Sequence, residues 1–120
     1  MSFAQEAAQL VEAGDHAAAE AVLRNAVEQG APGAAALLAH LALESGRAAE
    51  AETLFRAAAA EGDVDAMRGL AMLLFNRRES GNASVAEAAA LLERAVQGMD
   101  EDHPRRGETA AFLGHVKTML

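Results

Sequence analysis

One three-residue device recurs along this 120-residue chain and limits its fold more than any other feature: alanine, a large apolar residue four positions on, and alanine three positions further. It appears as Ala19, Leu23 and Ala26, then as Ala51, Phe55 and Ala58, then as Ala88, Leu92 and Ala95. Steps of four and three keep all members on one helical face, with two small residues flanking a large one. Two helices can approach closely across such a face. A chain that repeats this arrangement is expected to be a stack of helical hairpins in which each repeat buries its neighbour's apolar side. The first two copies are 32 residues apart and the second and third 37 apart.

The breaks between copies divide the chain. Helices are expected over about 2–13, 16–29, 34–44, 48–61, 64–77, 85–98 and 105–119, separated by Gly14-Asp15, Gly30-Ala31-Pro32-Gly33, Ser45-Gly46-Arg47, Gly62-Asp63, Glu79-Ser80-Gly81-Asn82-Ala83 and Asp100-Glu101-Asp102-His103-Pro104. Asp15 and Asp63 are expected to cap the helices that follow them. Ser84 and Glu87 have capping-box spacing at the sixth helix. The fold expected is all-α: a right-handed α-solenoid over residues 1–120, with hairpins at about 2–29, 34–61 and 64–98 and a C-terminal capping helix at about 105–119. Apolar residues make up 52% of the chain, much of it alanine, so the core must rest on Leu, Val, Met and four Phe. Alanine supplies helix propensity instead.

A second pattern marks the first helix of each hairpin. Leu38, Ala39 and Ala42 return 32 residues later as Leu70, Ala71 and Leu74. Glu6-Ala7 with Leu10 is a weaker copy at the start, and Leu113-Gly114 begins one at the end. The helices 34–44 and 64–77 are apolar on nearly all sides, which predicts burial on several faces. The last helix is amphipathic, with Phe112, Leu113, Val116, Met119 and Leu120 on its expected packing side.

These residues resemble a known family. Ser45-Gly46-Arg47-Ala48-Ala49-Glu50-Ala51-Glu52-Thr53-Leu54-Phe55-Arg56-Ala57-Ala58 looks like the second helix of a tetratricopeptide repeat, and Leu38-Ala39 with Ala42 is similar to its first. Ala58-Ala59-Ala60-Glu61-Gly62-Asp63, with Ala66, Leu70 and Ala71, resembles the related Sel1-like repeats. Ala39 and Ala71 stand where these families usually carry glycine, which only Gly114 retains. The resemblance implies a protein-interaction module, an adaptor or small chaperone, whose first helices line a concave groove. The stripe next to the packing stripe would then face a guest: Ala4, Ala8 and Val11; Ala36, His40 and Leu43; Arg68, Met72 and Phe75; Ala111, His115 and Thr118. Among these, Val11, Ala36, His40, Leu43, Arg68, Met72, Phe75 and His115 are the candidate contacts, with Arg68 and His40 the hardest to explain as core. The same side chains could instead pack on a neighbouring first helix or on the terminal helix. They could also form a homodimer face.

Charge and motif content narrow the function classes. Eighteen acidic residues against ten basic give a net charge of −8. A nucleic-acid partner is not expected, because phosphate binding needs a basic face. Basic protein or peptide partners are permitted. Cysteine is absent, which removes disulfides and thiolate chemistry. His16, His40, His103 and His115 lack the spacing of a zinc site, so neither a metal nor a cofactor is expected. No phosphate loop, calcium loop or nucleophile elbow is present, and the chain is not expected to be an enzyme. Glu50 with Glu52 and Asp63 with Asp65 read as helix surface and caps. No signal peptide or membrane span is visible, which predicts a cytoplasmic protein. The arginine, alanine and glycine bias fits a GC-rich bacterial genome.

Overall fold

The computed structural model describes residues 2–77 and 82–120. Among the described residues there are seven helices and no strand: α1 (Phe3–Glu12), α2 (His16–Glu28), α3 (Ala34–Glu44), α4 (Ala48–Ala60), α5 (Val64–Asn76), α6 (Asn82–Gly98) and α7 (Arg106–Lys117). The all-α expectation holds.

Each helix starts and stops for a local reason. Ser2 and Gln5 form a reciprocal capping box on α1: the Gln5 N–H donates to Ser2 Oγ at 3.2 Å, and the Ser2 N–H donates to Gln5 Oε1 at 3.2 Å. Asp15 and Asp63 accept from the N–H groups of Ala18 and Ala66, each at 3.1 Å, and so cap α2 and α5 as the sequence predicts. Stops are set by Gly14, Gly30, Gly46 and Gly62, with φ of +82°, +72°, +80° and +94°. After the first three, the next N–H reaches back to a carbonyl five residues earlier: Asp15 to Leu10 at 2.8 Å, Ala31 to Ala26 at 3.0 Å and Arg47 to Ala42 at 2.8 Å. That pattern satisfies the carbonyls a helix end leaves open, and it needs the left-handed backbone that glycine adopts without penalty.

The sixth helix differs from expectation. It begins at Asn82, so Ser84 sits inside its first turn and not at its cap. Alanine at 83 favours helix, and asparagine at 82 is tolerated at a helix start. Of the expected turn at 79–83, residues 79–81 lie outside the described residues.

The chain divides into two compact units, Met1–Ala58 and Ala59–Leu120. In the first, α2 packs on α1 and α3, and α1 touches α3. Ala7, Ala19, Leu23, Leu38 and Leu41 form its buried cluster, with Phe3, Leu10, Val11, Val22, Val27 and Leu54 packed against it. In the second, α6 packs on α5 and α7. Leu70, Leu92 and Val116 are its largest fully buried side chains, together with Thr109.

All nine members of the recurring device are buried, and Ala19, Ala51 and Ala88 are wholly inaccessible. Leu38, Ala39, Ala42, Leu70, Ala71 and Leu74 are buried too. The last helix departs from its expected packing side. Val116 is buried, Phe112 and Leu113 are half-buried, and Met119 and Leu120 are exposed because α7 ends at Lys117, before them. Gly114 is exposed, so the last copy of the first-helix pattern does not continue the buried stripe. Thr109 is buried on the same helix, with its hydroxyl donating to the Arg105 carbonyl at 2.6 Å.

Candidate functional site

In the first unit, α1 and α3 flank an open, groove-like cavity of about 330 Å³. Its wall comes from Ala4, Ala7, Ala8, Val11 and Glu12 on α1, from Leu37, His40, Leu41 and Glu44 on α3, and from Leu23 behind them. The alanines of α1 leave the space, because a larger residue at position 4 or 8 would project into it. Val11 and His40, both expected from the sequence, are brought to this cavity. The His40 ring stands edge-on against Phe55, with centroids 5.1 Å apart at 79°. Phe55 is fully buried, so it fixes the imidazole from below.

Two expected residues of α3 fall elsewhere. Ala36 is 4% exposed and belongs to the core, which corrects its assignment to an open groove. Leu43 is exposed but stands outside the cavity wall. The α3 side of the cavity has Leu37, His40 and Glu44 exposed with the buried Leu41 at its floor, so it shares His40 with the predicted stripe and takes Leu37 in place of Ala36. Leu37, 39% exposed, is the apolar residue of this wall that the sequence reading missed.

In the second unit Arg68 and Phe75 on α5 meet the terminal helix, on which His115 stands. Arg68 on α5 pairs with Glu108 on α7 at 3.2 Å, and its side chain is only 15% exposed. Its Nε is buried without an acceptor, as is that of Arg106. Arg68 is therefore not the open cationic handle the sequence suggested. Burial of the aliphatic stem and the link to Glu108 make it a tie between α5 and α7. Phe75 stands edge-on to Phe112, with centroids 5.4 Å apart at 89°, and to His115 at 5.7 Å and 67°. Phe75 and His115 thus join one aromatic cluster, and α7 covers part of the α5 stripe. Met72 stays open, 45% exposed.

A four-membered ion network lies on α2 and the start of α4. Glu20 accepts from Arg47 at 2.9 and 3.0 Å and from Arg24 at 2.6 and 3.1 Å. Glu50 accepts from Arg47 at 2.9 Å and also from Arg24. Hydrogen bonds from Arg47 and then Arg24 pull the Glu20 carboxyl down from 4.5 to about 2. Arg24 and Arg47 are raised by their hydrogen bonds to these same carboxylates, led by Glu50 for Arg24 and by Glu20 for Arg47. Glu50 is therefore a structural partner and not plain helix surface. Among the described residues no three His, Asp or Glu side chains converge as a metal site would require, and no helix is long and apolar enough to cross a membrane.

The tetratricopeptide repeat profile matches residues 10–73, just over half of the chain. The helices, their glycine stops and the buried alanine faces agree with that match, and the chain belongs to the tetratricopeptide repeat family. Such repeats generally mediate protein–protein interactions and are typically not catalytic. Comparison with curated proteins and with solved structures gave no match.

Proposed function

We propose that this protein is a non-enzymatic interaction module, an adaptor or small chaperone, and that the α1–α3 cavity receives an apolar side chain from a peptide or helix of a partner protein. The observation that supports this most is the cavity itself. At about 330 Å³ it is roughly twice the size of a cavity that holds benzene, about 150 Å³. One aromatic or two aliphatic side chains fit such a space. Its wall is largely apolar, and Leu37 stands exposed at its edge. Anchoring side chains in small apolar pockets carry most of the energy of many interfaces.

The test is selection of displayed random peptides on the full chain, followed by affinity measurement against Leu37→Asn. Leu37 is exposed, so the substitution removes apolar contact without disturbing the core. Selected peptides should bind the variant about tenfold more weakly, the equivalent of one lost apolar contact. Equal binding to both chains would refute the cavity as the contact site. Light scattering at several concentrations separates the other arrangement: a dimer that Leu37→Asn dissociates would mean that a second copy fills the cavity.

A further inference from the structure

We infer that the guest of the α1–α3 cavity is a cationic segment: a bulky apolar side chain seated in the cavity, with Lys or Arg beside it paired to Glu12 and Glu44. This rests on the interaction reading above and adds the chemistry of the occupant.

The argument begins with where the two carboxylates stand. Glu12 is the last residue of α1 and Glu44 the last of α3, and both line the cavity. A helix C-terminus already carries about half a negative charge from its aligned peptide dipoles. Neither helix has a basic residue in its last turn. One edge of an apolar cavity thus gathers two carboxylates and two negative helix ends. A carboxylate is the least favourable charged group to place there, and a cation the most favourable.

Among the described residues of the same unit no lysine or arginine relieves it. Residues 1–58 contain eight carboxylates and three basic residues, Arg24, Arg47 and Arg56. Arg24 and Arg47 are held by Glu20 and Glu50, and Arg56 pairs with Glu52 at 2.9 Å. Glu12 and Glu44 make no ion pair among the described residues. Glu28 also closes its helix, α2, but lies outside the cavity wall. The cavity edge is therefore a place where negative charge and apolar surface coincide and to which the arginines of the unit, held elsewhere, supply no ion pair.

The whole chain favours the same occupant. A net charge of −8 attracts cationic segments over long range and repels a second copy of itself. A guest with both an apolar anchor and a neighbouring Lys or Arg uses both features at once. The apolar anchor supplies affinity, and the ion pairs fix orientation and reject acidic competitors.

The experiment uses the peptides selected on the full chain, resynthesised and measured by fluorescence anisotropy. The expected sequences place Lys or Arg within one helical turn of a bulky apolar residue. Glu12→Gln and Glu44→Gln should each weaken binding about threefold and together about tenfold, as two exposed ion pairs would. Raising the salt from about 0.05 M to about 0.5 M should weaken wild-type binding and leave the double variant almost unchanged. Peptides that require Leu37 yet are neutral or acidic, or that bind the double variant as tightly as wild type, would overturn the cationic guest and leave the cavity reading standing. Peptides indifferent to Leu37→Asn, or no selected peptide at all, would overturn the cavity reading and this inference with it.

Discussion

Replacing Glu20 by Gln removes one charge from the centre of the α2–α4 ion network and keeps its size. In the folded chain Glu20 accepts four hydrogen bonds from two guanidinium groups, and its pKa falls from 4.5 to about 2. A group whose folded pKa is depressed adds stability above its unfolded value and loses it as the pH falls. Here the contribution is complete above about pH 4.5 and gone below about pH 2. The full difference in pKa corresponds to about 3 kcal/mol. The network is 23–47% exposed, and solvent screening reduces the expected contribution to about 1 kcal/mol. Urea unfolding followed by far-UV circular dichroism measures it. With a slope of about 1–3 kcal/mol per molar urea, the midpoint should drop by about 0.3–1 M at about pH 7. The gap between wild type and Glu20→Gln should close by about pH 2 and shrink in about 1 M salt. A gap of zero at neutral pH and low salt, or one that persists at about pH 2, would refute the argument.

Two further substitutions probe the packing. Phe55→Ala empties a fully buried site between Ala51 and Ala58 and should cost about 3–5 kcal/mol in urea unfolding; a near-native midpoint would contradict the nesting of small and large residues. Gly46→Ala meets no neighbouring atom but holds φ at +80°, so it should cost about 1–2 kcal/mol in melting experiments from backbone strain alone.

The buried architecture was legible because it is written in spacing. Ala19, Leu23 and Ala26, with their two later copies, have a helical period that only burial explains, and all nine positions are buried. Asp15 and Asp63 were legible as caps because a carboxylate before an apolar run has one obvious use. The open faces were harder. On α1 the predicted Ala4, Ala8 and Val11 do line the cavity, whereas on α3 the wall keeps His40 and takes Leu37 in place of Ala36. A single residue is about 100° of helix, and an all-apolar helix gives no polar side from which to judge that angle. Arg68 misled for a related reason. Its charge suggested a contact for a guest, but its partner Glu108 lies 40 residues away on the last helix, beyond the reach of local pattern. The Glu20–Arg47 pair, 27 residues apart, was hidden in the same way. The glycines at 14, 30, 46 and 62 were legible singly as breaks, and their even interval, which marks every helix end in the first half of the chain, is the further signal the sequence held.

That interval also governs how the chain can change length. Sixteen residues bring the backbone from one reversal to the next, so thirty-two carry it through an up-and-down pair and restore its starting phase. Duplication of such a segment would preserve the phase of everything downstream, while one inserted codon within a rod would swing all later side chains by about 100°. The beat ends at Gly62; Arg78 stands where another glycine would have fallen. Growth by duplication is thus easiest in the first half of the chain, and small insertions are best tolerated at the reversals themselves.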